Sequence, residues 1–173
     1  MKSRDAASGE IEGPALGASE ERYRSLLNSI DVGFCVIELL FDDNGSPVNF
    51  RFLETNPAFE KQSGLSDAVG KCVRTLVPQL EAHWFETYGR VALTGEPIRF
   101  VDEARALDGR WFDVYAFRLG APELRHVAIL FTDISTRRRL EQKTQEQAKS
   151  LAEQNRRKDE FLAILSHELR NPL

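Results

Sequence analysis

The sequence predicts an α+β domain followed by one long helix. Three observations carry this. Runs of β-branched and aromatic residues occur twice before a helical middle and three times after it. Clusters of Gly, Asn, Asp and Pro separate these runs at turn spacing. From Thr136 onward there is no Gly, and no Pro before Pro172, so nothing interrupts a helix there.

The chain has 173 residues, enough for one domain and a helical extension. Its net charge is −4, with acids and bases interspersed, which predicts neither a nucleic-acid partner nor a membrane-surface patch. Two cysteines, Cys35 and Cys72, do not make a disulfide framework. Cys35 reads as a core thiol in a reducing compartment. No apolar run reaches the roughly 18 residues of a membrane span. Lys2 and Arg4 have no apolar stretch behind them, so a signal peptide is not expected. Together these predict a cytoplasmic protein.

Residues 1–18 are rich in Gly, Ala, Ser and Glu and are expected to form a disordered tail. Ser19 is placed to cap a helix whose first turn carries Glu20 and Glu21, which suit the positive end of its dipole. Tyr23, Leu26, Leu27 and Ile30 give it an apolar face. Val32 to Phe41 predicts a strand with two apolar faces, Phe34 and Val36 on one, Cys35, Ile37 and Leu39 on the other. Such a strand is covered on both sides: by the domain's own helices, and by either the N-terminal helix or a second subunit. Asp42 to Pro47 is a turn, and Val48 to Thr55 returns as a second strand.

Asn56 is placed to cap a short helix with Pro57 at its first position, ended by Gly64. Helical pieces are expected at Asp67 to Val69 and Val73 to Leu76. A longer helix is expected from Glu81 to Leu93, stopped by Thr94-Gly95-Glu96-Pro97. The three later strands are Ile98 to Leu107, Arg110 to Leu119 and His126 to Ile134. Asp108-Gly109 supplies a hairpin turn between the first two.

This order, with Asn56-Pro-Ala-Phe59, Gly64, Gly70, Leu93-Thr-Gly-Glu96, Trp111-Phe-Asp-Val114 and Asp133-Ile-Ser-Thr-Arg137, resembles a PAS domain from about Ser19 to Arg138, which places a sensory domain at residues 19–135. The resemblance implies a five-stranded antiparallel sheet with helices over one face, often around a ligand cavity, and frequent dimerisation. Two cofactors known from such domains, haem and flavin, each leave a sequence mark. Haem-binding relatives place an axial histidine on the helix that carries His83. Counting back from Gly95 puts Trp84 there instead, and one residue is about 100° of rotation. Flavin domains of the LOV type carry Asn-Cys-Arg-Phe. Here Gly70-Lys-Cys-Val-Arg lacks the Asn and has Cys72 one residue early, which argues against a flavin adduct. Trp84, Tyr88, Trp111, Tyr115 and Phe117 either line a pocket for an aromatic or fatty ligand or fill the core. The cofactor-binding residues and the ligand stay unassigned, and no metal site is expected.

The long helix carries a sparse apolar seam through Leu140, Thr144, Ala148, Leu151, Asn155, Lys158, Leu162, Leu165 and Leu169, with a stutter near Ala148. It predicts a marginal parallel coiled coil, hence a homodimer, with residues 136–157 as a signalling helix. If Leu162 and Leu169 are a positions, Leu165 is d and His167 falls at f, pointing to solvent. An exposed neutral imidazole beside the carboxylate of Glu168 has the makings of a nucleophile. The alternative is a surface histidine on an ordinary amphipathic helix.

The run Phe161-Leu-Ala-Ile-Leu-Ser-His167-Glu168-Leu-Arg-Asn171-Pro172-Leu173 resembles the H-box of sensor histidine kinases. The resemblance implies that His167 is the phosphoacceptor for the γ-phosphoryl group of ATP and passes it to an aspartate of a response-regulator receiver domain. It implies Glu168 as general base, Asn171 in phosphotransfer and dephosphorylation, and Pro172 as a helix bend. Residues 158–173 would begin the dimerisation and phosphoacceptor domain. ATP and Mg²⁺ would be bound by a catalytic domain outside this chain, so the chain alone is expected to be inactive. The competing expectation is a non-enzymatic PAS module for ligand binding or dimerisation.

Overall fold

The computed structural model describes residues 13–171 of the chain. They fall into two compact units, the first ending at Asp133 and the second beginning at Ile134. The first unit has strands β1 (Gly33–Phe41), β2 (Pro47–Thr55), β3 (Ile98–Ala104), β4 (Arg110–Arg118) and β5 (His126–Asp133). Its helices are α1 (Gly13–Ser29), α2 (Pro57–Ser63), α3 (Val73–Leu76) and α4 (Ala82–Thr94). The strands form one antiparallel sheet in the order β2-β1-β5-β4-β3. This is the expected five-stranded α+β architecture.

β1 sits inside the sheet, paired with β2 and β5. Its side chains alternate between two cores, as its doubly apolar sequence requires. Cys35, Ile37 and Leu39 join the main core with Phe59 of α2, Val73 of α3 and Phe85 of α4. Phe34 and Val36 join a smaller cluster on the opposite face with Ala128, covered by Leu27 of α1. Burying a side chain such as Ile37, Leu39 or Phe85 contributes about 1.5–3 kcal/mol. α4 comes unusually close to the sheet because Gly89 lacks a side chain: a Cβ there would lie 2.6 Å from the ring of Pro47.

Asn56 joins the elements at one end of the sheet. Its Oδ1 accepts from the N–H of Phe34 (2.9 Å) and of Phe59 (3.0 Å), the latter being the helix cap of α2. Its Nδ2 donates to the carbonyls of Leu27 (3.0 Å) and Val32 (2.9 Å). The residue is 4% exposed, and its side chain uses two donors and two acceptor sites. α2 then ends as expected at Gly64, whose left-handed backbone (φ 77°) lets its N–H reach the carbonyl of Glu60.

Several boundaries differ from expectation. α1 begins at Gly13, so Ser19 lies within it. Ala15 and Ala18 are strong helix formers, and Glu20 pairs with Arg24 one turn on at 2.9 Å. The rest of the expected disordered tail, residues 1–12, lies outside the described residues. Asp67 to Val69 is not helical: Asp67 (φ 51°) and Gly70 (φ 81°) are left-handed. The loop is tied to β2 instead, through the Gly70 N–H to Phe52 carbonyl bond (2.7 Å). β3 stops at Ala104 because the Arg105 N–H goes to Glu81 Oε1 (2.7 Å) rather than to a ladder partner. A 3-10 turn (Arg105–Leu107) and the left-handed pair Asp108 and Gly109 complete that hairpin.

The second unit is α5 (Ser135–Arg170), 36 residues long. Ladder pairing of β5 continues to Asp133, and the cap position of α5 falls on Ile134. Pairs at i,i+4 line its surface, among them Glu153–Arg157 (2.6 Å) and Arg156–Glu160 (3.5 Å). Among the described residues, no helix is long and apolar enough to cross a membrane.

Asn56→Ala leaves two N–H groups and two carbonyls without their side-chain partner. It is expected to cost about 2–4 kcal/mol in urea unfolding. Asn56→Asp retains both acceptor bonds but neither donor bond, and is expected to remain well below wild type.

Candidate functional site

Two candidate sites emerge, one in each unit. The first is a cavity of about 80 Å³ between the sheet and α2–α4. The strand residues Cys35, Val114 and Ile129 form its floor, and Phe59, Trp84 and Tyr88 close it from the helices. α2 delivers Phe59 because Asn56 fixes its start. α4 delivers Trp84 and Tyr88 because they lie four residues apart, on one helical face. No charged side chain lines the space. Phe59 is held by edge-on contacts with Phe52 (5.2 Å) and Phe131 (5.7 Å).

Of the five aromatic residues singled out as a pocket set, Trp84 and Tyr88 line this cavity. Trp111, Tyr115 and Phe117 do not. They alternate with Phe112, Val114 and Ala116 along β4, so they project from the other face of the sheet. His83 also lies outside the lining, and its Nε2 is 3.2 Å from Asp102 Oδ2. Cys72 precedes α3 and is not among the lining residues. At about 80 Å³ the cavity lies below the roughly 300 Å³ at which pockets for drug-sized ligands begin.

Gln62 carries a link that sequence reasoning missed. Its Nε2 donates to the carbonyl of Asp31 (2.8 Å), ahead of β1. Its Oε1 accepts from the N–H of Asp133 (2.8 Å), the last residue of β5. Its own carbonyl accepts from Arg110 Nη1 (2.9 Å), and Arg110 also lies 3.9 Å from the Asp133 carboxylate. Gln62 is on the same short helix as the cavity residues Phe59 and Ser63. Nothing in its local sequence marks it, since these partners lie 31 to 71 residues away.

The second candidate site is the end of α5. His167 and Glu168 are exposed on its last turn, and Asn171 follows the helix with a non-helical backbone (φ −115°, ψ 67°). His167 lies roughly 170° round the helix from the stripe of Leu162, Leu165 and Leu169. Glu168 lies about 100° from His167, since adjacent helical residues do not face each other. Leu162, Leu165 and Leu169 form an apolar stripe that is 49%, 41% and 82% exposed. The expected bend at Pro172 lies outside the described residues.

Burial pushes the Cys35 thiol up from its ordinary value. It does the same to the Tyr88 hydroxyl, with a further contribution from nearby Cys35. The folded chain therefore keeps both protons over a pH range in which the unfolded chain loses them. Stability from these groups is complete below the ordinary thiol value and is lost as pH rises past it. Urea unfolding is expected to show stability declining above about pH 9, and less steeply in Cys35→Ala. At neutral pH, Ellman's reagent is expected to titrate Cys72 alone in the native chain and both thiols in urea.

A family model described as PAS domain matches residues 21–97. No curated protein matches the chain. Among solved structures, an RNA-binding Light-Oxygen-Voltage receptor aligns with a TM-score of 0.52 at 19% identity, over 90% of this chain and 42% of its own. The chain thus spans less than half the length of that receptor. A domain of a sensory box sensor histidine kinase/response regulator from Geobacter sulfurreducens aligns at 0.49 and 18% identity, over 68% of this chain and 96% of its own. The PAS domain of an HTR-like protein from Haloarcula marismortui aligns at 0.48 and 18% identity, over 69% and 95%. At such identities the likeness is one of fold. The strand order, with helices α2 to α4 over one face, is the PAS fold, and the match to the PAS-domain model lies within this unit, over residues 21–97.

Proposed function

We propose that this chain is the sensory part of a two-component sensor histidine kinase, in which the PAS domain receives the input and His167 is the phosphoacceptor. The observation that carries this reading is the Phe161 to Leu173 run, with its histidine on an exposed face of α5 opposite the leucine stripe. In the proposed reaction one imidazole nitrogen of His167 attacks the γ-phosphorus of ATP. The N–P bond forms as the bond to the ADP oxygen breaks, and Glu168, as general base, takes the ring proton. The phosphoryl group then passes to a receiver-domain aspartate, which restores the imidazole. Asn171 would assist transfer and orient water for dephosphorylation of the regulator. ATP and Mg²⁺ would be held by a catalytic domain that is not among the described residues.

In this reading residues 19–135 are the sensor, 136–157 the signalling helix and 158–173 the start of the phosphoacceptor domain, all in the cytoplasm. The exposed seam leucines Leu140, Leu151, Leu162 and Leu165 would pack against a second copy as a parallel coiled coil. A weak seam suits a helix whose packing must change at low cost. In the complete protein, His167→Gln is expected to abolish acid-labile phosphorylation on incubation with radiolabelled ATP. Persistent labelling would refute the assignment.

The apolar cavity favours a second reading, a non-enzymatic PAS module that binds a ligand or dimerises. It differs in one outcome: His167→Gln would then leave the biological response intact.

A further inference from the structure

The 80 Å³ cavity adjoins two clefts. A solvent-facing cleft of about 390 Å³ lies between the end of α2, the segment after α3 and the Arg105–Leu107 turn. Cleft and cavity share four lining residues, Ser63, Leu65, Val77 and Leu107. Two of these, Leu65 and Leu107, are half-buried and pack against the core. We propose that this cleft is the entrance to the cavity, that Leu65 and Leu107 are its gate, and that it admits small, uncharged, apolar molecules. Calling such a molecule the input rests on the sensory reading above; the route itself does not.

The chemistry of the lining sets the ligand class. A charged ligand would find no counter-ion and would be desolvated at high cost. The Ser63 hydroxyl is already engaged, donating to the Phe59 carbonyl (2.7 Å) and accepting from the Leu65 N–H (3.1 Å). An apolar cavity of about 150 Å³ holds benzene or xenon, so a space of 80 Å³ suits an occupant smaller than a benzene ring.

The gate is placed by its backbone. Leu65 follows Gly64 (φ 77°), and Leu107 precedes Asp108 (φ 57°). Each leucine therefore sits on a turn, where it can change rotamer without breaking a strand ladder or a helix. A second cleft, of about 330 Å³, touches the cavity through Phe59 and Leu65. Phe59 bars that way: it is 3% exposed and wedged between Phe52 and Phe131. Leu107 belongs to the first cleft and Val69 to the second, so they separate the two routes.

Cys35 on the cavity floor reports passage. In the full chain carrying Cys72→Ser, its modification is to be timed with neutral methyl methanethiosulfonate and with a cationic trimethylammonium methanethiosulfonate of the same reactivity. Leu107→Ala is expected to raise the neutral rate roughly tenfold, equivalent to about 1.4 kcal/mol of barrier, and to leave the cationic rate unchanged. Leu107→Trp is expected to lower the neutral rate, and Val69→Ala to leave it alone. If Leu107→Ala raises both rates together, Cys35 is reached by unfolding and the gate is refuted. If Val69→Ala acts as Leu107→Ala does, the route is the other cleft. No phosphorylation enters this measurement, so its failure is distinct from failure of the kinase reading.

Discussion

The side chain of Asn56 is the point on which the first unit depends. A buried primary amide needs two acceptors and offers two acceptor sites of its own, and leaving any of them unmet is costly. Here all of these needs are met by backbone from three elements: the end of α1 and the segment after it, the first turn of β1, and the first turn of α2. One residue therefore sets the start of β1, the direction of the helix that carries Phe59, and the seat of α1 over Phe34. The cavity inherits its shape from this arrangement, because Phe59 closes it from a helix that Asn56 begins.

The two faces of β1 divide the labour. One carries the large core in which the cavity lies, and the other carries the small cluster under Leu27. Aromatic residues on β4 follow the same rule of alternation. Phe112 packs inward, whereas Trp111, Tyr115 and Phe117 lie on the outer face. The chemistry of α5 is of another kind. The position of His167, the proposed phosphoacceptor, is set by the helical period alone, opposite the apolar stripe.

Much of this was legible in the sequence, for local reasons. Asn56-Pro57 and Gly64 bracket α2 because capping and left-handed termination are decided within a few residues. The doubly apolar β1 declared both of its cores. The exposed position of His167 followed from the spacing of Leu162, Leu165 and Leu169. What was not legible depends on distant partners. Asp67 to Val69 has the composition of a helical turn, but a bond to β2 draws it out of helix. The inward or outward sense of Trp111 requires the register of β4, which a single sequence does not supply. Gln62 looks like any polar residue on a short amphipathic helix until Asp31 and Asp133 are brought to it.

That same glutamine closes the sheet into a loop. The chain enters β1 beside Asp31 and leaves β5 at Asp133, and a single carboxamide spans the two points. The domain is thus a cassette whose inlet and outlet are stapled side by side. A tension applied between them meets the Gln62 carboxamide at the rim, alongside the pairing of Asp133 with β4 and its contact with Arg110. Such a module can be spliced into a longer polypeptide without forcing the flanking segments apart. The Gln62 link lies on the same short helix that helps wall the cavity.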